Sequence, residues 1–170
     1  KKGLELIHKR YHKGIAKLID NSKISSSPTS QDLGFVVGPQ INAASRIDDS
    51  SLASKLLITN DVDQIDSISR KLFLLNEKRK LIENQILVVA SDQAANQIKS
   101  NFILVFGNNW HQGVLGIIAS KIKDIYYKPT IVISFSNNIG VGSARSIENV
   151  DLGKIILNAK TENFLISGGG

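Results

Sequence analysis

The chain has 170 residues, 42% of them hydrophobic, and 21 Lys and Arg against 15 Asp and Glu give a formal net charge of +6. That length can bury a core for one domain with an appended piece, or for two small domains. The lack of cysteine excludes a disulfide framework and a thiolate metal site, no apolar run approaches the roughly 20 residues that cross a bilayer, and no secretory pattern is present, so a soluble cytoplasmic protein is expected.

Residues 1–23 hold seven Lys and Arg against two Asp and Glu, the most basic stretch of the chain. A clustered positive surface draws polyanions by counterion release, although a basic run can equally be a solvated face. Within it, Leu4, Ile7, Tyr11, Ile15, Leu18 and Ile19 recur at steps of mostly three and four, a helical stripe interrupted near Gly14. Residues 21–31, rich in Ser and holding Pro28, read as a loop. Ser30 is then the expected helix N-cap, and the element it opens is expected to end by Gly38-Pro39, because proline disfavours helical geometry in the residue before it.

From Asp61 to about Asn96 the residues Ile65, Ile68, Leu72, Leu75, Arg79, Ile82, Ile86 and Val89 keep alternating steps of three and four with no Pro or Gly between them. At about 1.5 Å per residue a continuous helix there spans roughly 50 Å, which reads as a connection between two lobes. Beyond it, strand and helix alternate: a strand at Phe102–Phe106, a helix over 113–125, a strand at Thr130–Phe135, a third extended run at Gly140–Ser146, a helix over Asp151–Asn158 and a last strand at Phe164–Ile166. The expected class is α/β.

Three runs could carry chemistry. In Gly38 to Asp49, the small Ala43 and Ala44 allow another backbone to come close, while Asn42 and Arg46 share a helical face on which a guanidinium could fork onto a phosphate. The alternative is a capped turn with Arg46 paired to Asp48 or Asp49. In Trp110 to Ser120, His111 stands at a helix N-terminus that favours an anion, and Gly113, Gly116 and Ala119 thin one face for packing on a strand; the alternative is a capping His111 with Trp110 in the core. In Gly142-Ser143-Ala144-Arg145-Ser146, strand alternation sets Ser143 and Arg145 side by side, either for a terminal phosphate or as a solvated edge. Gly168-Gly169-Gly170, at the end of a chain without methionine, permits close backbone approach and suggests an internal fragment.

Together these runs resemble the RecJ family, the single-stranded-DNA-specific 5′ to 3′ exonucleases of the DHH/DHHA1 phosphoesterase superfamily. Gly38 to Asp48 resembles that family's Gly-Pro-Arg-Ile-Asn-Ala-Ala-Gly-Arg motif, Trp110 to Ser120 its Trp-His-x-Gly-Val-x-Gly-Ile-x-Ala-Ser, Gly142 to Ser146 its Gly-Ser-x-Arg-Ser, and the three glycines the start of the Gly-Gly-Gly-His signature of the DHHA1 domain. The resemblance implies that residues 1–58 are the tail of a DHH catalytic domain, 59–99 a connecting helix and 100–170 a DHHA1 domain with a mixed sheet. It implies a metal-dependent parent enzyme for DNA repair and recombination, using Mn²⁺ or Mg²⁺ held by residues upstream, with no metal bound by this chain. Single-stranded DNA is the implied partner. Asn42 and Arg46 would face the catalytic groove, Ser143 and Arg145 would bind phosphate near the 5′ end, and His111, Gly142, Gly168 and Gly169 are further nucleic-acid contacts.

Gln40 stands where the family has Arg and Ser45 where it has Gly, and the Asp-His-His motif is absent from these residues. The chain alone is therefore expected to bind nucleic acid without hydrolysing it. The competing readings are a non-catalytic nucleic-acid-binding module, the remnant of a decayed gene, and a phosphoesterase acting on short oligonucleotides.

Overall fold

The first apolar stripe folds as two helices, α1 (Lys2–His8) and α2 (Lys13–Asn21), with the break at residues 9–12, just ahead of Gly14. Arg10 turns the chain there in the left-handed region at φ 56°. His12 caps α2: its Nδ1 accepts the Ile15 N–H at 3.3 Å and its Nε2 bonds the Leu57 carbonyl at 2.9 Å. A carbonyl can only accept, so Nε2 is the donor in that bond. This computed structural model describes residues 2–24 and 27–169; Ser25 and Ser26 of the expected loop, and Gly170 of the glycine run, lie outside the described residues, as does Lys1.

The chain divides into two compact units, 1–81 and 82–170. In the first, a short helical turn α3 (Ser30–Asp32) leads into a five-residue π-helical segment, Leu33–Val37, and then into α4 (Gly38–Ile47), α5 (Ser51–Ile58) and the first part of α6 (Val62–Ala95). Leu18, Ala43, Ala44, Leu56 and Leu72 form the fully buried centre of its core. Helix α2 meets α5 at Gly14, where a Cβ would stand 2.5 Å from the Leu56 carbonyl oxygen.

Two expectations are corrected here. The N-cap is Thr29 rather than Ser30: the Thr29 hydroxyl accepts the Asp32 N–H at 3.2 Å while the Asp32 carboxylate accepts the Thr29 N–H at 2.8 Å. A cap at Ser30 would put Leu33 three residues on, which has nothing to return. The helix also continues through Gly38-Pro39. The Gly38 N–H reaches back five residues to the Leu33 carbonyl, and Pro39 falls in the first turn of α4, where its missing N–H costs little. Gly38, lacking a Cβ, takes the helical φ −55° that proline discourages in a bulkier predecessor.

The cap gives a pH-dependent expectation. The Thr29 N–H, and then its hydroxyl, hold the Asp32 carboxyl below the usual aspartate range. A depressed folded pKa means that the contribution is complete above that range and disappears as pH falls through the lower folded value. Hydrogen-exchange protection of the Thr29 amide should stay constant from neutral pH to the usual aspartate range and vanish in more acid solution, and Asp32→Asn should remove that dependence.

Helix α6 begins where Asp61 accepts the N–H groups of Asp63 and Gln64 at 2.9 and 3.2 Å. Up to Leu81 it lends Ile65, Leu72 and Leu75 to the first unit, as expected. In the second unit Val89 is 48% exposed and Ala90 is fully buried, because the inward stripe there runs in steps of four through Ile82, Ile86, Ala90 and Ala94. A straight helix of 3.6 residues per turn drifts away from a seven-residue repeat, so the expected register slips by one.

The second unit is a mixed α/β layer. Among the described residues its sheet has three strands in the order β1 (Ile103–Asn108), β2 (Thr130–Ser136), β3 (Ile139–Arg145). Strands β1 and β2 are parallel, joined through α7 (Gln112–Tyr126). Strands β2 and β3 form a hairpin whose two loop residues, Asn137 and Asn138, both have positive φ, 49° and 61°, as the favoured tight turn requires. Ile103, Val105, Val132, Val114, Leu115, Ile118 and Ile122 build the core between the sheet and α7, with Ile86, Ala90 and Ala94 of α6.

The outer edge of β1 is covered by two side chains. The Gln97 amide donates to the Leu104 carbonyl at 2.8 Å and accepts the Leu104 N–H at 3.0 Å, and Gln93 does the same for Phe106 at 2.8 and 2.9 Å. Two glutamines one helical turn apart thus take the place of a neighbouring strand.

Helix α8 (Leu152–Thr161), capped by Asp151, follows β3. The strand expected at Phe164–Ile166 is not formed. Asn163 turns left-handed at φ 63° and the Phe164 N–H returns to the Ala159 carbonyl at 2.9 Å, so this segment closes the end of α8 instead of pairing with a strand among the described residues.

Candidate nucleic-acid interface

Helix α7 starts at His111, whose Nδ1 accepts the Gly113 N–H at 3.2 Å. That bond uses a helix-end N–H that an anion would otherwise take. Trp110 is half-buried against the unit's core, its indole lying on Gly107, where a Cβ would run into the ring; its carbonyl accepts the Ser134 hydroxyl at 2.8 Å. Both residues fix the β1–α7 connection.

The pairing of β3 with β2 sets Ser143 opposite Val132 and Arg145 opposite Thr130, both buried positions on the α7 side of the sheet. Ser143 and Arg145 therefore turn toward α7 and meet it at its thin face. A Cβ on Gly116 would stand 2.8 Å from Arg145 Nη2 and 3.2 Å from Ser143 Oγ, so the guanidinium occupies the space a side chain would take. Arg145 Nε donates to Ser120 Oγ at 3.1 Å, and Nη1 donates to the Ala144 carbonyl at 2.8 Å and lies 3.5 Å from Ser143 Oγ. Gly116, Ser120, Ser143 and Arg145 form one polar cluster around an exposed cation.

Gly116→Ala should displace the end of this flexible side chain rather than strain the backbone. The expected result is an unchanged or slightly higher unfolding midpoint, since alanine favours a helix by about 1 kcal/mol over glycine. Loss of the Arg145 Nε–H signal from its wild-type position in an NMR spectrum should accompany it.

The other candidates lie elsewhere. Gly142 faces the opposite side of β3, close under the Val132 carbonyl and Ile133, and Gly168 packs on Ile156 of α8. Gly169 has nothing within 4 Å of a Cβ. In the first unit, Asn42 is exposed and Arg46 half-buried, one turn apart on α4, while Ala43 and Ala44 between them are in the core. Gln40 is only 2% exposed and donates to Ser22 Oγ at 2.7 Å and to the Val36 carbonyl at 3.1 Å. Position 40 thus points into the core. Ser45 is exposed and its hydroxyl turns back to the Asn42 carbonyl.

Of the basic residues at the start of the chain, Arg10 is paired with Asp20 and Lys17 with Asp66 at 2.7 Å, which lowers the charge that segment shows to a polyanion. Among the described residues no three His, Asp or Glu gather into a ligand set. Asp48 is paired with Lys71 at 2.9 Å, Asp49 accepts the Ser51 N–H and hydroxyl at 2.8 Å each, and both carboxyls are held below the usual aspartate range by these bonds. These residues do not fit Mn²⁺ or Mg²⁺. No helix among the described residues is long and apolar enough to cross a membrane.

Ser120 is absent from the sequence-based candidates, although it lies four residues after Gly116 and so on the same helical face. That spacing, read with the glycine, is the local signal for it.

Residues 99–170 match the DHHA1 domain. The chain is 36% identical over 151 residues to the single-stranded-DNA-specific exonuclease RecJ of Haemophilus influenzae, a match covering 84% of this chain and 26% of that protein. Crystal structures of RecJ from Thermus thermophilus in complex with Mn²⁺ and with Mg²⁺ each match with a TM-score of 0.83 at 25% identity, over 99% of this chain and 24% and 26% of theirs. The chain thus spans about a quarter of the length of the curated relatives it matches. With its long helix and its mixed sheet, the chain carries a DHHA1 domain at residues 99–170 and is similar to RecJ proteins over most of its own length.

Proposed function

We propose that this chain is the DNA-gripping C-terminal portion of a metal-dependent 5′ to 3′ exonuclease that degrades single-stranded DNA, and that it binds the strand without cleaving it. Residues 1–58 are assigned to the tail of the DHH catalytic domain, 59–99 to the connecting helix and 100–170 to DHHA1. The observation that carries the reading is the Arg145 guanidinium laid over the bare Gly116 beside Ser143, an exposed cation with a hydroxyl next to it. A guanidinium that stays charged at every working pH and a hydroxyl that can donate suit a phosphate oxygen. Asn42 and Arg46 are assigned to the path of the strand. His111 is a weaker contact because its Nδ1 already caps α7. Metal ions of the kind bound in the Thermus thermophilus RecJ structures are assigned to residues of the parent enzyme other than those described here.

Fluorescence anisotropy of this chain with single-stranded oligonucleotides tests the binding. Affinity should fall steeply with salt, and Arg145→Ala should weaken it roughly tenfold and reduce the salt slope by about one. Binding indifferent to salt and to Arg145→Ala would reject the reading. For the parent enzyme, Mn²⁺ and a 5′-phosphorylated single strand should give mononucleotides, and no release would reject the exonuclease assignment.

A further inference from the structure

We propose that Ser120 is a positioning residue, which by holding Arg145 Nε above Gly116 aims the guanidinium so that it meets an anionic oxygen end-on through Nη2. The inference rests on the reading of Arg145 as a phosphate contact. Arg145 lies at the end of an edge strand and is exposed, and an arginine so placed ordinarily samples many rotamers. Here its donors are already divided. Nε is committed to Ser120 at 3.1 Å and Nη1 to the Ala144 carbonyl at 2.8 Å. The second Nη1 hydrogen faces Ser143 Oγ at 3.5 Å, so both edges on which a guanidinium can fork a carboxylate or phosphate are partly taken within the protein. The remaining pair of N–H groups, on Nη2, lies where Gly116 has no side chain.

The two hydroxyls strengthen the same conclusion. Ser120 Oγ accepts from Nε, so its own hydrogen must point elsewhere, and Ser143 Oγ, 3.5 Å from Nη1, is likewise turned with its acceptor side to the guanidinium. Within the cluster the two hydroxyl oxygens accept from the guanidinium, which leaves their hydrogens and the Nη2 N–H groups as its remaining donors. An oxygen-rich anion such as a phosphomonoester satisfies that arrangement, and a donor-bearing neutral group does not. Ser120 sets the direction, since without it Nε has no partner and the planar fork is free to turn.

A double-mutant cycle with a 5′-phosphorylated oligothymidylate decides this, read alongside the ¹⁵N–¹H signal of Arg145 Nε. Ser120→Ala should weaken binding roughly fivefold, the effect of one ordering hydrogen bond. It should add no further loss in an Arg145→Ala background, and Ser120→Thr should restore the affinity. The Nε–H should exchange slowly with solvent in the wild type and rapidly in Ser120→Ala. Equal losses in both backgrounds, no loss in either, or a rapidly exchanging wild-type Nε–H would overturn the proposal. Wild-type protein that binds 5′-phosphate and 5′-hydroxyl strands equally, with no response to Arg145→Ala, would instead reject the phosphate contact itself, while the exchange rate still decides whether Ser120 orders the side chain.

Discussion

Gly14→Ala should lower the stability of the first unit by about 2–4 kcal/mol, read as a drop in the urea midpoint with little change in slope. The added methyl would meet the Leu56 carbonyl oxygen at 2.5 Å and Leu56 Cγ at 3.1 Å. The first of these is backbone, held inside α5, and it cannot swing aside as a side-chain end could. Helices α2 and α5 would have to separate, and His12, which reaches the Leu57 carbonyl from the start of α2, would lose its partner. Gly3→Ala is the matched control. Gly3 is also helical but has nothing within 4 Å of a Cβ, so the same change there should be neutral or stabilising by up to about 1 kcal/mol. Equal stability of both variants would mean that α2 and α5 do not touch at Gly14.

Gln97→Leu should cost about 2–3 kcal/mol, and the double variant with Gln93→Leu should self-associate. Position 97 lies just past the end of α6, and leucine keeps about the same volume, so the substitution removes little besides the amide. The Leu104 N–H and carbonyl, half-buried, then lose both partners, and an unsatisfied group in such a place costs about 1–3 kcal/mol. Gln93→Leu should cost less, because Phe106 is exposed and water can replace the amide. Loss of both glutamines opens the β1 edge to another strand, the condition under which sheets aggregate. Urea unfolding reads the first effect and sedimentation velocity the second; a monomeric double variant of full stability would show that the glutamines do not guard that edge.

Features that depend on near neighbours could be read along the chain. The long apolar register placed α6 to within a residue at each end, and the alternation of Ser143, Ala144 and Arg145 set the hydroxyl and the guanidinium on one side of a strand. Thr29 was missed because a cap is decided by the residue three positions on, and Asp32 returns the bond that Leu33 cannot. The strand at Phe164–Ile166 was misplaced because hydrophobicity alone does not supply a partner for its backbone. The glutamines reach β1 across the turn from α6 into that strand, 7 and 13 positions away, and Ser120 meets Arg145 25 positions on, spacings that no local period reveals. Half of the candidate site was therefore legible as a strand pattern, and the part that orients it was not.

The five-residue turn between Leu33 and Gly38 sets an angle as well as accommodating a proline. It carries one residue more than an ordinary helical turn, and each residue rotates the remainder of a helix by about 100°. Excision of the exposed Gly34 would restore the common pitch and spin α4 by that amount, bringing Gln40 out from beside Ser22 and carrying Asn42 and Arg46 to a different bearing. The compass direction of a candidate DNA-facing arginine is thus governed by a single surplus residue three turns upstream.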